Sequence, residues 1–277
     1  MDDIDYKKLV ENAPILEFDP DSAEQSKEFF FEGGKKPFEQ FDKVKALGIT
    51  KCLLFLPREF DKLTEIYDKC EKIYDFKSAS TYSPVYLYDN KVLIALCPLG
   101  GPSSANLLEE LHYVGIRTIL SCGTCGCLDD NININNYFIP TDAIRDEGLS
   151  YHYLPAKRTV DTNEEVNAAI EKVLNQNNES FVKGIIWTID AMYRETPNRT
   201  ARRKEEGAIA VDMECASLAA CAKFNGIKFG SLMFFSDRVD PKKWEWRFYD
   251  KYTLRLELVK LCLEVLDELP DKDEEEE

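Results

Sequence analysis

Short apolar runs alternate with amphipathic stretches along most of the chain, and this alternation is typical of an α/β protein. The apolar runs predict strands at Lys51–Leu56, Tyr86–Tyr88, Lys91–Cys97, Arg117–Cys122, Tyr137–Ile139, Gly184–Thr188, Ala208–Val211 and Lys228–Phe235. The amphipathic stretches predict helices at Ser103–Val114, Asn163–Asn175, Asn198–Glu206, Met213–Phe224 and Tyr249–Leu266. Strands this apolar, separated by helices, predict a central sheet that is covered on both faces.

Turn and capping residues support two of these helices. Gly100-Gly101-Pro102 precedes the first helix, and Gly115 follows its last apolar position. Thr162 and Glu165 have the spacing of a capping box at the start of the second helix.

Composition places the chain among globular proteins. It has 277 residues, of which 44% are hydrophobic and 31% charged, and we predict a single domain over residues 1–270. The acidic end, residues 271–277, is predicted to be a disordered tail. No apolar run reaches the roughly 18 residues of a membrane span. The N-terminal segment Met1–Asp5 is acidic rather than secretory in character, which favours a cytoplasmic protein.

Net charge and cysteine content limit the kinds of ligand and metal site that we expect. The formal net charge of −16 argues against binding to nucleic acid or to anionic membranes. The nine cysteines are predicted to be reduced thiols. Cys122, Cys125 and Cys127 are clustered but lack a second Cys/His pair at metal-site spacing, so we predict no metal site.

Loops at the carboxyl ends of the predicted strands are where an α/β sheet binds ligands. The segment Leu99–Ala105 has glycines ahead of a helix, which suits either close approach of an anion or a tight turn without a ligand. In Ser121–Cys127, Thr124 offers a hydroxyl between two glycines, either as a phosphate contact or within a structural turn.

Two further loops carry carboxylates. Asp212 and Glu214 stand where a strand meets a helix, so one of them either accepts hydrogen bonds from sugar hydroxyls or only complements the helix dipole. Asp237 lies just beyond a very apolar strand, where burial raises a carboxyl pKa and permits general-acid catalysis. The alternative for Asp237 is an ordinary cap or an ion pair with Arg238.

Four motifs in this order resemble the nucleoside phosphorylase/nucleosidase superfamily, which includes uridine phosphorylase, hexameric purine nucleoside phosphorylase and methylthioadenosine nucleosidase. They are GGPSSANLLEEL at Gly100–Leu111, GTCG at Gly123–Gly126, VDMECASL at Val211–Leu218 and Ser236-Asp237. The resemblance extends from about Pro14 to Leu266, and the segments Pro140–Pro155 and Trp187–Gly207 are similar to a uridine phosphorylase-like branch. It implies a three-layer α/β/α sandwich around a mixed, partly barrel-like sheet.

The resemblance also implies roles for individual residues. Glu214 would bind the ribose hydroxyls, with Met213 packed under the sugar, and Asp237 would protonate or hydrogen-bond the leaving base. Thr124 would contact phosphate or another nucleophile. The remaining substrate-binding positions that it implies are Asp212, Gly126, Met192 and Tyr193.

The chain departs from the phosphorylase pattern where phosphate is normally bound. Ser121 stands where these enzymes usually have an arginine, and the N-terminal loop reads Glu17–Ser22 without the second expected arginine. Arg145 and Arg194 are candidates to replace them, unless each forms a structural ion pair with a nearby carboxylate. The Gln-x-Arg pair that reads uracil is not evident after Tyr193.

Three functions are therefore compatible with the sequence. The first is a phosphorylase that yields free base and pentose 1-phosphate, with nucleoside and phosphate as its partners. The second is a nucleosidase in which Glu17 or Asp19 activates water. The third is a nucleoside-binding protein with weak catalysis. The resemblance implies no metal or organic cofactor, and it implies a homodimer or homohexamer.

Overall fold

The computed structural model describes residues 13–27, 41–55, 60–77, 81–239, 245–246 and 251–271. Its strands are β1 (Lys51–Phe55), β2 (Cys70–Lys77), β3 (Tyr82–Tyr88), β4 (Val92–Leu96), β5 (Thr118–Cys127), β6 (Tyr137–Asp146), β7 (Thr159–Asp161), β8 (Phe181–Ile189), β9 (Ala208–Asp212), β10 (Lys228–Arg238) and β11 (Glu245–Trp246). Its helices are α1 (Glu24–Lys27), α2 (Asp42–Ala46), α3 (Thr64–Tyr67), α4 (Gly101–Tyr113), α5 (Ser150–Tyr153), α6 (Glu164–Gln176), α7 (Pro197–Glu205), α8 (Cys215–Phe224) and α9 (Lys251–Glu268). Short 3₁₀ helices lie at Pro14–Leu16, Phe60–Lys62 and Met192–Arg194.

The strands form one mixed sheet in the order β11-β10-β6-β8-β9-β5-β1-β4-β3-β2, with β7 beside β6. An additional pairing of β10 with β5 closes the five strands β5, β10, β6, β8 and β9 into a ring. The pairs β5–β10, β6–β8 and β8–β9 are parallel, whereas β5–β9 and β6–β10 are antiparallel. The expectation of a mixed, partly barrel-like sheet is therefore confirmed.

Helices cover both faces of this sheet, as the apolar strands predict. Alternate residues of β1 point to opposite sides. Cys52 and Leu54 belong to a core that also contains residues of α2, α4 and α8. Leu53 and Phe55 belong to a second core with residues of α3, α6 and α9. These two cores are the two interfaces of an α/β/α sandwich.

The strands are longer than the apolar runs that predict them. We expected strands to end at Cys122 and Phe235, but β5 continues to Cys127 and β10 to Arg238. Residues Thr124 and Asp237 therefore lie within strands and not in loops. The reason is tertiary: the second halves of β5 and β10 pair with each other, and β5 also pairs with β9 through Gly126 and Cys127. Strands β2, β7 and β11 were not predicted.

Two helix starts also differ from prediction. The capping box at Thr162 and Glu165 is not used, because the side chain of Asn163 caps α6 by accepting a 3.0 Å hydrogen bond from Val166 N–H. Thr162 Oγ1 donates instead to the carbonyl of Pro140. Helix α8 begins at Cys215, so Met213 and Glu214 precede it.

The last helix is fixed to the sheet by a buried lysine. Lys51 Nζ donates 2.7 Å hydrogen bonds to the carbonyls of Leu266 and Leu269, and it lies 2.8 Å from Asp271 Oδ1. A cation at the end of a helix offsets the negative end of its dipole. The predicted tail thus begins at a residue that contacts the fold, and residues 272–277 lie outside the described part. Among the described helices, none is long and apolar enough to span a bilayer.

Candidate active site

Glu214 is buried at the start of α8, at one end of the closed ring of strands. Its Oε1 accepts a 2.7 Å hydrogen bond from the backbone N–H of Gly100. Gly100 precedes α4 and has φ of +86°, a left-handed conformation that favours glycine. Burial, together with the charge of Asp212, raises the pKa of Glu214 to about 8. The fold therefore holds a carboxyl group in a shielded position against its preference for water.

Asp212 ends β9 and organises the start of α8. Its Oδ1 accepts a 2.7 Å hydrogen bond from Thr188 Oγ1, and its Oδ2 accepts from Cys215 N–H at 2.7 Å and Glu214 N–H at 3.2 Å. Burial raises the pKa of Asp212 to about 6, although these hydrogen bonds act in the opposite direction. Asp212 thus serves as a capping group for α8, and Met213, beside it, is partly exposed.

Close packing at Gly101 brings the first turns of α4 and α8 together beside Glu214. A Cβ atom at Gly101 would lie 2.2 Å from Ser217 Oγ and 2.9 Å from Ser217 Cβ. Ser217 in turn donates a 2.7 Å hydrogen bond to Glu147 Oε2, which also accepts from Ser150 N–H. The first turns of α4 and α8 are therefore in contact without room for a side chain between them.

Asp237 lies on β10 and is buried, with Ser236 Oγ donating a hydrogen bond to its Oδ1. It pairs in the sheet with Gly126 of β5. A Cβ at Gly126 would lie 2.7 Å from Val239 Cγ2, so the glycine allows the neighbouring strands to close over β5. Arg238 donates to the carbonyls of Asp129 and Ile132, at 2.6 and 2.9 Å, and its guanidinium lies 3.6 Å from Asp130 Oδ1.

Thr124 occupies the middle of β5, opposite Phe234 of β10, and its side chain is partly exposed. Three residues earlier, Ser121 is buried, and its Oγ donates a 2.8 Å hydrogen bond to Ser231 Oγ. The position where phosphorylases usually place an arginine is thus part of the contact between β5 and β10.

The two candidate arginines have different environments. Arg145 is buried, and its guanidinium donates to Ser150 Oγ and to the carbonyls of Leu154 and Pro155, at 2.8, 3.0 and 2.7 Å. It organises the segment that follows β6. Arg194 is exposed at the end of the 3₁₀ turn after β8, and no hydrogen bond or ion pair of its side chain occurs in the described part of the chain.

The remaining predicted residues are at the surface. Met192 is 49% exposed and Tyr193 is 93% exposed, in the same turn as Arg194. Glu17 and Asp19 are exposed in the N-terminal segment, where Asp19 Oδ1 accepts from Asp21 N–H. Across the residues that the structure describes, no three His, Cys, Asp or Glu side chains converge as a metal-binding group.

Sequence reasoning missed the shielded position of Glu195, which follows the exposed turn. Its Oε2 is shielded from solvent and has no hydrogen-bond partner among the described residues. Burial, and then the charge of Asp237, raises the pKa of Glu195 to about 7. The sequence offered no signal for this, because Glu195 reads as a surface partner of Arg194.

The chain matches known proteins over most of its length. The family model of the phosphorylase superfamily matches residues 52–264. A guanosine phosphorylase from Halorubrum lacusprofundi is 28% identical over 180 residues, which are 64% of this chain and 73% of that protein. A uridine phosphorylase from Escherichia coli is 23% identical over 188 residues, 63% of this chain and 74% of that protein.

Among solved structures, an AMP nucleosidase from Bacteroides thetaiotaomicron has a similar fold, with a TM-score of 0.65 and 21% identity. The match covers 79% of this chain and 87% of that one. The fold agrees with the family match, and the family model covers well over half of the sequence. The chain belongs to the phosphorylase superfamily.

Proposed function

We propose that the chain is a nucleoside phosphorylase, which cleaves an N-glycosidic bond with phosphate and releases free base and pentose 1-phosphate. The observation that carries this proposal is the buried carboxyl of Glu214, fixed by Gly100 N–H. In its ionised form, this group accepts hydrogen bonds from two neighbouring sugar hydroxyls. Hydrogen bonds to a charged group contribute roughly 1.5–3 kcal/mol each.

We assign the base end of the substrate to Asp237, Met192 and Tyr193. As the sugar gains oxocarbenium character, a proton on Asp237 is donated to N7 of a purine, which leaves as a neutral base. General-acid catalysis of this kind contributes about 10²–10⁴ in rate. Guanosine is the first substrate to test, because the similar protein from Halorubrum lacusprofundi is a guanosine phosphorylase. Met192 and Tyr193, both exposed, are assigned to packing against the base.

We assign the phosphate to the hydroxyl of Thr124 and the guanidinium of Arg194. Thr124 is partly exposed on β5, and Arg194 is exposed on the turn after β8. Arg194 supplies a positive charge that the buried Ser121 does not. Arg145 is left out of this assignment, because its donors are already used by the segment after β6.

Hydrolysis is the second candidate, and one observation favours it. Ser121 is engaged with Ser231 where an arginine would bind phosphate, so the site has lost one expected anion contact. In this case water replaces phosphate, and the carboxylate of Glu17 or Asp19 is the base that activates it. The similarity in fold to an AMP nucleosidase is compatible with either reaction.

Neither reaction requires a metal or an organic cofactor, because the base leaves once it is protonated and the nucleophile is phosphate or water. We propose a homodimer or homohexamer as the working assembly, which light scattering of the purified protein tests. A single oligomeric species of two or six chains supports this assignment, and a monomer contradicts it.

The deciding experiment measures release of free base from guanosine, inosine, adenosine, uridine and AMP, with and without phosphate. Release that depends on phosphate, with pentose 1-phosphate as the second product, supports the phosphorylase. Equal release in phosphate-free buffer, with free pentose as the second product, establishes the nucleosidase. An increase in Tm on addition of nucleoside, without release of base, would indicate a nucleoside-binding protein.

A further inference from the structure

Glu147 is a buried acid in the segment between β6 and α5, and it has no part in the proposed chemistry. Its Oε2 accepts two hydrogen bonds, at 2.7 Å from Ser217 Oγ and at 3.0 Å from Ser150 N–H. Its Oε1 is also shielded from solvent and has no hydrogen-bond partner among the described residues. One oxygen of this carboxyl group therefore makes both contacts, which join the first turn of α8 to the start of α5.

Ser217, the partner of Glu147 on α8, lies against the start of α4. Its side chain is fully buried, and its Oγ would lie 2.2 Å from a Cβ atom at Gly101. A serine side chain has several staggered rotamers about its Cα–Cβ bond. The hydrogen bond to Glu147 holds Oγ in the rotamer that faces Gly101. Glu147 therefore fixes the side chain through which α8 contacts α4.

Gly101 is bonded directly to the residue that holds the candidate sugar-binding acid. Gly100 N–H donates a 2.7 Å hydrogen bond to Glu214 Oε1, and Glu214 lies three residues before Ser217. The contact between Ser217 and Gly101 and the hydrogen bond between Glu214 and Gly100 thus join the same two helix starts. A displacement of the first turn of α8 from α4 would change both.

We propose that Glu147 is a positioning residue for Glu214. It holds Ser217 against Gly101, which keeps α4 and α8 at the separation at which Glu214 binds Gly100 N–H and the ribose. Glu147 acts through these residues and does not itself contact the substrate. The part of this inference that concerns the ribose rests on the proposed function, whereas the part that concerns the Gly100–Glu214 hydrogen bond does not.

The test replaces Glu147 by two residues of similar size. Glu147→Met removes the oxygen that accepts both hydrogen bonds. Glu147→Gln keeps one carbonyl oxygen, which can accept both, and places its amide nitrogen where Oε1 has no partner. The readout is the ratio of kcat/KM for guanosine to kcat/KM for 2′-deoxyguanosine, measured above pH 8, where Glu214 is ionised. The ratio should fall about fivefold in Glu147→Met, as expected when one hydrogen bond to the sugar is weakened, and should change by less than about twofold in Glu147→Gln.

A second comparison separates positioning from general destabilisation. In the Glu214→Gln background, Glu147→Met should cause no further fall in the ratio, because the charged acceptor that Glu147 positions is already absent. Loss of folded enzyme, in contrast, lowers kcat/KM for both sugars by the same factor. Glu205→Met, at an exposed position of α7, is the matched control and should leave the ratio unchanged.

An NMR measurement without substrate reports on the hydrogen bond itself. The sequence contains two Leu-Gly pairs, Leu47-Gly48 and Leu99-Gly100. Labelling of leucine carbonyls with ¹³C and of glycine nitrogens with ¹⁵N therefore selects the amide signals of Gly48 and Gly100. The Gly100 amide proton should shift upfield in Glu147→Met, in the direction given by Glu214→Ala, which lacks the acceptor. It should keep its wild-type position in Glu147→Gln, and Gly48, which follows α2, should not move in any of these variants.

Failure of this inference is distinguishable from failure of the proposed function. In Glu147→Met, an unchanged sugar ratio in an active enzyme, or an unchanged Gly100 amide signal, would overturn the inference. Should Glu147→Met not fold, Ser217→Ala breaks the same hydrogen bond, and wild-type values of the ratio or of the amide shift in that variant would overturn it equally. If the wild type releases no base from any nucleoside, the proposed function is wrong, and the Gly100 amide signal alone decides whether Glu147 positions Glu214.

Discussion

The backbone N–H of Gly100 donates a 2.7 Å hydrogen bond to Oε1 of Glu214, 114 residues later in the chain. This contact joins the start of α4 to the start of α8 and fixes a carboxyl group that burial would otherwise disfavour. The position of the carboxyl group that we assign to the sugar depends on this hydrogen bond.

Glu214→Gln should reduce cleavage of ribonucleosides more than cleavage of 2′-deoxyribonucleosides. The measurement is made above pH 8, where Glu214 of the wild type is ionised. The amide can still accept from Gly100 N–H, but it does not offer a charged acceptor to the 2′-hydroxyl. The ratio of the two kcat/KM values should fall by about tenfold or more, as expected for one hydrogen bond to a charged group. Glu205→Gln is the matched control and should leave the ratio unchanged. Equal losses for both sugars would remove the ribose-binding role.

The same variant should change how stability depends on pH. Burial raises the pKa of Glu214 from 4.5 to about 8, so between these values the folded protein keeps a proton that the unfolded chain releases. This group's contribution to stability is therefore complete below about pH 4.5 and is lost as the pH rises towards 8. Glutamine has no such loss, so the Tm of the variant relative to wild type should increase from pH 5 to pH 8. A difference that is constant over this range would contradict the assignment.

Gly101→Ala should destabilise the protein and lower activity together. The new Cβ would lie 2.2 Å from Ser217 Oγ, which forces α4 and α8 apart at the contact that positions Glu214. Overpacking of this kind costs typically about 1–3 kcal/mol. Adding Ser217→Gly should recover part of the loss, so a double-mutant cycle measured by denaturant unfolding should give a favourable coupling energy. Strict additivity would show that the two residues do not compete for space.

The two arginines should respond in opposite ways. Arg145→Met removes the hydrogen-bond donors to the carbonyls of Leu154 and Pro155 and to Ser150 Oγ, so it should lower the free energy of unfolding by about 1–3 kcal/mol. Arg194→Ala should leave Tm unchanged, since the residue is exposed, but should raise the KM for phosphate by about tenfold. Thermal unfolding and phosphate titration of both variants check this. An unchanged phosphate KM in Arg194→Ala would exclude Arg194 from the nucleophile site.

The covered sheet and most helix positions were predictable from sequence, because they follow from apolar periodicity and local turn residues. The carboxyl end of β5 was not predictable in this way. Its second half, Gly123–Cys127, has two glycines and reads as a turn, and it becomes a strand through pairing with β10 and β9. The ring is closed by pairing between strands that are far apart in the sequence, so a short stretch of sequence does not predict it.

Side-chain environments were less predictable than positions. Arg203 belongs to the strongly polar helix α7, yet it is buried and donates to Asp146 Oδ2 at 2.9 Å. Arg145 and Arg194 have the same two interpretations from sequence alone. Only the fold shows that Arg145 is buried and hydrogen-bonded, whereas Arg194 is exposed. Asp237, by contrast, was singled out correctly as a buried carboxyl, because the apolar strand before it implies low solvation.

The proposed function is tested most directly by comparing guanine release by the wild type and by Asp237→Asn in phosphate buffer at pH 7, after the two proteins have been shown to have the same Tm. We expect release by the wild type and a rate about 10²–10⁴-fold lower in the variant, which lacks the proton donor. Guanine release by Asp237→Asn at the wild-type rate would contradict the assignment of the acid. An inactive wild type would contradict the proposed function itself.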